Sequence, residues 1–194
     1  MISELPPLVL ASSSPYRAEL LRRLGLAFST DSPAIDESLA PDERVPAACL
    51  RLAAAKAAAV AERQPSALIL ASDQLAELNG KPLGKPGHRE AAARQLRQLS
   101  GATVRFHTAV CLYHDANSRT RLDETQVRFR RLTDAEIERY LRAEPAFDCA
   151  GSFKSEGLGI SLTEHIDSQD PTALIGLPLI ATAALLRQAG YRLP

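Results

Sequence analysis

Short apolar runs alternate along this chain with stretches whose apolar residues recur at helical spacing. The runs at 8–11 and 67–71 have the length and composition of buried strands. A longer alternation at 103–113 predicts a strand with one buried face, and a turn leads from it to a partner strand at 124–131. Strands interspersed with helices, with one antiparallel pair, indicate an α/β fold with a mixed, twisted sheet flanked by helices.

The predicted helices are marked by their ends as well as by their apolar faces. Ser14 is placed to cap a first helix and Pro15 to begin it, and Gly25 follows the last apolar turn. An alanine-rich run and a capping box that opens at Thr133 predict two more helices. The helices predicted after the first span residues 47–63, 88–98, 133–143 and 174–188, the last of them interrupted near Gly176 and Pro178.

Three shorter segments carry predictions of their own. Asn79-Gly80 is a strong signal for a tight hairpin turn. Residues 158–162 are predicted to form a short strand. Residues 31–46 form a polar loop punctuated by prolines, and loops of this length in a compact domain are usually functional or disordered.

Composition narrows the class of protein. A chain of 194 residues is expected to form a single domain, residues 1–194, with a substantial core. Its 23 lysines and arginines balance 23 aspartates and glutamates, so no net field favours a nucleic-acid polymer or an anionic membrane. No signal-peptide pattern or membrane-length apolar run is present, and the three cysteines lack metal-ligand spacing. These features predict a cytoplasmic protein with a small-molecule partner.

The junction between the first strand and the first helix carries three serines. Backbone amides at the helix start, the helix dipole, the hydroxyls of Ser12, Ser13 and Ser14, and Arg17 would together bind an anion such as phosphate. Alternatively, Ser14 only caps the helix while the other two serines end the strand. The junction alone leaves both interpretations open.

Other charged residues extend this interpretation to a polyphosphate. Arg17, Lys56 and Lys85 could supply the cations that a nucleoside triphosphate requires, although base rates alone favour a solvated surface lysine at position 56. Glu37 and Asp73 could hold a divalent metal, and Asp73 could also orient or deprotonate a water molecule. The sequence contains neither a P-loop motif nor the Gly-x-Ser-x-Gly turn of serine hydrolases.

Six separated segments resemble, in order, the motifs of the Maf nucleotide pyrophosphatases. They are Leu-Ala-Ser-Ser-Ser-Pro at 10–15, Asp36-Glu37, Lys56-Ala57, Ser72-Asp73-Gln74, Gly84-Lys85-Pro86 and Gly176-Leu177-Pro178-Leu179. The resemblance implies hydrolysis of a nucleoside triphosphate to the monophosphate and pyrophosphate, dependent on Mg²⁺ or Mn²⁺. It also implies a cleft between two lobes of a fold similar to that of inosine triphosphatases, and it allows a homodimer.

The same resemblance assigns roles to individual residues. Asp73 matches the proton acceptor and, with Glu37, the positions that face the metal. The positions that face phosphate are matched by Ser12, Arg17, Lys56 and Lys85.

Three further positions resemble the branch of the family that hydrolyses 7-methyl-GTP. Tyr16 and Gln74 stand where the branch acting on dTTP and UTP usually has arginine and threonine, although tryptophan is commoner than tyrosine in the 7-methyl-GTP branch. A cationic 7-methylguanine could stack on Tyr16 with a cation–π contribution of roughly 0.5–2 kcal/mol. Glu156 could accept hydrogen bonds from the guanine N1 and N2 edge, each worth about 1.5–3 kcal/mol.

Simpler roles remain for two of these residues, since Tyr16 could pack on Leu20 and Glu156 could cap a turn. Two other functions also remain open. One is a Maf pyrophosphatase that prefers dTTP or UTP, and the other is a non-catalytic nucleotide-binding regulator of septum formation.

Overall fold

The computed structural model describes residues 5–194 and, over that range, forms one mixed sheet with helices on both sides. The strands are β1 (Leu8–Ala11), β2 (Ser29–Asp31), β3 (Leu68–Leu78), β4 (Lys81–Leu83), β5 (Thr103–His114), β6 (Asn117–Phe129) and β7 (Thr163–Asp167). The α-helices are α1 (Pro15–Arg22), α2 (Val45–Ala61), α3 (Arg89–Leu99), α4 (Asp134–Ala143) and α5 (Leu179–Gln188). The predicted α/β fold with a mixed sheet is confirmed.

The sheet order β2-β1-β3-β5-β6-β7 joins a short parallel part to a long antiparallel part. β1 is parallel to both β2 and β3, and the other pairs, including β3 with β4, are antiparallel. The pairing of β1 with β3 ends at Ala71, but β3 continues to Leu78 beside β5. Among the described residues, positions 72–75 of β3 therefore have no partner strand on the edge that pairs with β1 before them and with β4 after them.

The core falls into clusters at the two ends of the long strands. At one end, alanines of α2 pack on one face of β1, β3 and β5, while leucines of α1 and α5 pack on the other face. At the other end, α3 and α4 pack on the sheet around Phe106, Phe129 and Phe153. The ring centroid of Phe153 lies 6.0 Å from that of Phe106 and 5.2 Å from that of Phe129. These clusters form the two lobes expected from the resemblance.

Several local predictions are confirmed. Ser14 caps α1, Thr133 opens α4 with a complete capping box, and Asn79 and Gly80 both take positive φ in the β3–β4 hairpin. Within residues 5–194, no helix combines the length and apolar character needed to span a bilayer.

Two strand predictions are wrong in part. β5 was expected to bury one face, but residues 106–112 are buried on both, because α2 covers Ala109 while α5 and its neighbours cover Val110. β6 begins at Asn117 instead of residue 124, after a two-residue turn with positive φ at Asp115 and Ala116. Its first half is polar and mostly exposed, so backbone pairing with β5 creates a strand that no hydrophobic pattern marks.

The strand predicted at 158–162 is a 3₁₀ helix, Leu158–Leu162, and β7 follows it. A Cβ atom on Gly159 would lie 2.4 Å from the carbonyl oxygen of Lys154, so the chain folds tightly back on itself here. The hydroxyls of Ser161 and Thr163 donate to the carbonyls of Leu158 and Ile160, at 2.8 and 2.9 Å. These local hydrogen bonds favour the compact turn over an extended strand.

Candidate active site

A cleft of about 510 Å³ opens beside the part of β3 that extends beyond β1. Its walls are the β1–α1 junction, the loop before α2, the segment after β4 and the loop between α4 and β7. This volume lies within the usual range for sites that hold drug-sized or nucleotide-sized ligands. All nine predicted site residues line it: Ser12, Tyr16, Arg17, Glu37, Lys56, Asp73, Gln74, Lys85 and Glu156.

The serine-rich junction has fewer free backbone amides than predicted. The Ser14 hydroxyl accepts from the backbone N–H of Arg17 at 3.4 Å, and the backbone N–H of Ser14 donates to the Ser12 hydroxyl at 3.1 Å. Pro15, at the first helical position, has no N–H to offer. The anion-binding capacity of the junction therefore depends more on side chains, Ser12 and Arg17 above all, than on the helix start.

Arg17 is fixed in the cleft from the opposite side of the fold. Its Nε donates to the carbonyl oxygen of Gly176 at 2.9 Å, and the Ser72 hydroxyl donates to the same oxygen at 2.8 Å. Gly176 has a φ of 123°, which side chains disfavour, and a Cβ there would lie 3.5 Å from the Arg17 Nε. The Gly176-Leu177-Pro178-Leu179 motif thus acts by holding Arg17.

Burial lowers the pKa of the Arg17 guanidinium, and the nearby charge of Asp73, with smaller contributions from Cys49 and Glu37, opposes that effect. An arginine remains charged in spite of such a shift. The Gly176 contact uses one of five N–H donors, so Arg17 keeps the charge and donors that phosphate binding requires.

Lys56 lies between the two predicted acidic residues. Its Nζ is 2.5 Å from Oδ1 of Asp73 and 2.7 Å from Oε1 of Glu37. The side chains of Lys56 and Asp73 are only 7% and 6% exposed, whereas that of Glu37 is 54% exposed. Lys56 is therefore a buried part of the site and not the surface lysine considered as the alternative.

The pKa of Glu37 lies below its ordinary value although partial burial acts to raise it. The hydrogen bond and charge of Lys56, with the charges of Lys85 and Arg17, outweigh burial. Lys85 itself is an exposed residue that lines the cleft just after β4. Three cations thus face the carboxylates, as a site for a polyanion requires.

Asp73 has one carboxylate oxygen without a hydrogen-bond partner. Oδ1 accepts from Lys56, but Oδ2 is buried and unpaired among the residues that the structure describes. An unpaired, buried acceptor costs about 1–3 kcal/mol, and more when charged. A group that is kept in this state at the wall of a cleft is suited to accept a proton or bind a cation.

The carboxylates of Glu37 and Asp73 fit a Mg²⁺-like ion. Such ions keep several waters and take one or two protein carboxylates together with substrate phosphates, and the free Oδ2 of Asp73 is a suitable ligand. Over residues 5–194, no group of three or more histidine, cysteine, aspartate or glutamate side chains is arranged to hold a metal. The two carboxylates would therefore need phosphate oxygens and water to complete coordination.

Glu37 lies on a loop that is tied to α2. Arg51 contacts both carboxylate oxygens of Glu43, at 2.7 and 2.8 Å, and donates to the carbonyl of Ser38 at 3.1 Å. The Arg51 hydrogen bond lowers the pKa of Glu43 to about 2, so this carboxylate stays charged. The Arg51–Glu43 clamp thus orders the loop between α2 and Glu37.

The three proposed base-recognition residues also line the cleft. Gln74 follows Asp73 on β3, and its Nε2 donates to the carbonyls of Ala173 and Leu174 at 2.9 and 3.0 Å. Two carbonyl acceptors fix the orientation of the side-chain amide. Gln74 therefore links β3 to the segment that also holds Arg17.

Tyr16 and Glu156 are less enclosed. Tyr16 is half-buried, and the Nζ of Lys154 lies 5.4 Å from the centroid of its ring. The pKa of Lys154 lies above its ordinary value, chiefly because of its contact with the Tyr16 side chain. Glu156 is exposed on the loop after α4 and lines the cleft.

Two residues beside the site were assigned no role from the sequence. Lys154, which belongs to the Lys154-Ser155-Glu156-Gly157 segment that resembles the 7-methyl-GTP branch, contacts Tyr16. Cys49 lies behind Asp73, where its thiol donates to the carbonyls of Asp73 and His107 at 3.3 and 3.1 Å. Burial and the nearby Asp73 raise the pKa of Cys49 to about 12, so it supports the strand as a neutral thiol.

Comparison with known proteins now decides the family. The family model described as Maf-like protein matches residues 7–189, which include every residue of the cleft. The chain belongs to the Maf family. This Maf protein is 60% identical over 190 residues to a protein of Xanthomonas oryzae pv. oryzae, covering 98% of its own length and all of the relative.

Two other relatives are similar over most of their length. A Burkholderia thailandensis protein is 54% identical over 196 residues, covering 98% of this chain and 91% of the relative. A Polaromonas protein is 55% identical over 190 residues, covering 96% and 86%. All three relatives are named 7-methyl-GTP pyrophosphatase.

Proposed function

We propose that this Maf protein hydrolyses 7-methyl-GTP to 7-methyl-GMP and pyrophosphate and thereby removes a modified nucleotide. The observation that carries the proposal is the 54–60% identity, over nearly the whole chain, to relatives that bear this activity as their name. The cleft supports it, because three cations, the carboxylates of Glu37 and Asp73, and the ring of Tyr16 all line it.

The triphosphate would bind at the end of the cleft that contains Ser12, Arg17, Lys56 and Lys85. A nucleoside triphosphate carries about four negative charges, which these cations and hydroxyls spread over several contacts. Lys56 then contacts the substrate as well as the two carboxylates. The buried position of Lys56 and Asp73 makes each of these electrostatic contacts stronger than it would be in water.

Glu37 and Asp73 would hold a Mg²⁺ or Mn²⁺ ion together with phosphate oxygens. When bound, such an ion neutralises phosphate charge and polarises the phosphoanhydride. Asp73 has a second task, because a carboxylate has two oxygens: when one of them binds the ion, the other can accept the proton of an attacking water. Water then adds to phosphorus, the bridge between the α- and β-phosphates breaks, and pyrophosphate leaves.

The base would lie between Tyr16 and Glu156. Methylation at N7 places a delocalised positive charge on guanine, which favours contact with the face of Tyr16. The Glu156 carboxylate can accept from the N1 and N2 donors, which uracil and thymine do not present in that arrangement. Gln74, which also lines the cleft, is held by the carbonyls of Ala173 and Leu174.

Pyrophosphate release tests the proposal. Purified protein is incubated with Mg²⁺ or Mn²⁺ and, separately, 7-methyl-GTP, GTP, dTTP and UTP, with Asp73→Asn as the inactive control. Fastest release from 7-methyl-GTP is the expected result. Preference for dTTP or UTP would keep the enzyme class but overturn the substrate. A folded preparation that binds nucleotide and releases no pyrophosphate would point instead to the regulatory function.

A further inference from the structure

The turn that carries Glu156 is held in a tight, specific shape. The backbone N–H of Gly157 donates to the carbonyl of Lys154 at 3.3 Å, which closes a turn with Glu156 inside it. Gly159 packs against the same carbonyl so closely that its Cβ, if present, would lie 2.4 Å away. The direction of the Glu156 side chain therefore depends on how residues 154–159 are anchored.

Two side chains from the C-terminal part of α4 anchor this turn at both ends. The Tyr140 hydroxyl accepts from the backbone N–H of Lys154 at 3.3 Å. The Glu144 carboxylate accepts from the backbone N–H of Gly159 at 3.1 Å. A Cβ on Gly157 would lie 2.1 Å from Oε1 of Glu144, so the absent side chain of Gly157 makes room for that carboxylate.

A negative charge at the position of Glu144 is unfavourable for α4, and the hydrogen bond to Gly159 offsets this cost. Glu144 is the C-terminal cap of α4, where the helix dipole disfavours negative charge. Glu144 is not among the residues that line the cleft, so it does not contact the nucleotide site directly. Its contacts instead lead to the turn whose tip, Glu156, does line the cleft.

We propose that Glu144 is a positioning residue for base recognition: it holds the 154–159 turn so that Glu156 faces the guanine edge of the substrate. This inference rests on the proposed function, because it assumes that Glu156 selects the base. It adds a residue that contacts neither substrate nor metal and that acts only through Glu156.

A double-mutant cycle tests it. Steady-state kinetics are measured on 7-methyl-GTP and UTP for wild type, Glu144→Ala, Glu156→Ala and the double variant. We expect Glu144→Ala to raise KM for 7-methyl-GTP about tenfold, the equivalent of most of one charge-assisted hydrogen bond, with kcat within about twofold. Turnover of UTP should stay unchanged, and Glu144→Ala should have no further effect once Glu156 is alanine.

Matched variants separate positioning from general stability. Glu144→Gln keeps an acceptor oxygen and should restore most of the KM, while Glu138→Ala removes another acid from α4 and should leave kinetics unchanged. Gly157→Ala should displace the Glu144 carboxylate and reproduce the loss even if Glu144→Ala folds poorly. Equal losses on both substrates, or a full effect of Glu144→Ala in the Glu156→Ala background, would overturn the inference.

The kinetics distinguish failure of the base role of Glu156 from failure of the positioning role of Glu144. If Glu156→Ala leaves the preference for 7-methyl-GTP over UTP unchanged, the base role of Glu156 fails and the role of Glu144 fails with it. If Glu156→Ala removes the preference but Glu144→Ala does not weaken it, only the role of Glu144 is overturned.

Discussion

The two ends of the cleft are built by different means. At the phosphate end, Lys56 and Asp73 project from a core helix and a central strand, are almost fully buried, and contact each other at 2.5 Å. At the base end, Glu156 is exposed on a loop that α4 holds through Tyr140 and Glu144. The buried pair is fixed by the core, whereas the position of Glu156 depends on contacts between a loop and one helix.

The largest effect is expected at the phosphate end. Asp73→Asn removes the proton acceptor and should lower kcat by about 10²–10⁴-fold, because general bases contribute rate factors of that size. The variant should stay folded, because Lys56 keeps Glu37 as an ionic partner, and Asp115→Asn in an exposed turn is the matched control. Pyrophosphate-release assays measure kcat, and thermal unfolding shows whether the variant is folded. A folded Asp73→Asn variant with undiminished turnover would contradict the assignment.

The next largest effect concerns stability. Lys56→Met leaves a buried carboxylate without its cation and should lower the free energy of unfolding by about 3 kcal/mol. Because a bound metal ion would replace the missing charge, Mg²⁺ should raise the melting temperature of this variant more than that of wild type. Lys81→Met, on an exposed strand, is the control. Equal Mg²⁺-induced shifts in wild type and Lys56→Met would argue against a metal between Glu37 and Asp73.

A smaller effect is expected at the base end. Tyr16→Ala should raise KM for 7-methyl-GTP about 2–30-fold relative to GTP, as expected from a cation–π contribution of roughly 0.5–2 kcal/mol. Tyr16→Phe keeps the ring and should retain the preference. Steady-state kinetics on both nucleotides check this. If both substrates lose the same factor, Tyr16 does not recognise the charge of the methylated base.

The smallest effect should come from the clamp that orders the Glu37 loop. Glu43→Gln weakens the contact with Arg51 and should raise the metal concentration for half-maximal activity about two- to threefold, leaving kcat at saturating metal unchanged. Metal titrations of activity measure this difference, and Glu62→Gln, just after α2, serves as control.

The same clamp has a defined pH dependence. The pKa of folded Glu43 is lowered to about 2 from an ordinary value near 4.5, so its stabilisation is fully present above pH 4.5. It is lost as the pH falls from about 4.5 towards 2. The difference in melting temperature between wild type and Glu43→Gln should therefore be constant from pH 6 to 9, and a change within that range would contradict this pKa.

Sequence patterns predicted the features whose causes are local. The Ser14 cap, the Asn79-Gly80 turn and the capping box at Thr133 depend on neighbouring residues, and each forms as predicted. The polar half of β6 depends on pairing with β5, and burial of both faces of β5 depends on α2, so no local pattern could show either.

In the site, too, sequence patterns revealed the charged residues but not the long-range contacts that position them. Charged motif residues could be found in the sequence, and all nine line the cleft, although their roles remain predictions. Contacts that position them could not be found, because Gly176 reaches Arg17 across 159 residues and Gln74 reaches Ala173 across 99. Such long-range contacts are visible only after folding.

A competition assay tests the central claim most directly. Limiting enzyme is given equimolar 7-methyl-GTP, GTP, dTTP and UTP with saturating Mg²⁺, and the monophosphates formed early are separated and counted. Their ratios equal the ratios of kcat/KM, so differences in enzyme preparation cancel. The account predicts that 7-methyl-GMP exceeds dTMP and UMP about tenfold or more and GMP about 2–30-fold. Equal product amounts, or an excess of dTMP or UMP, would contradict it.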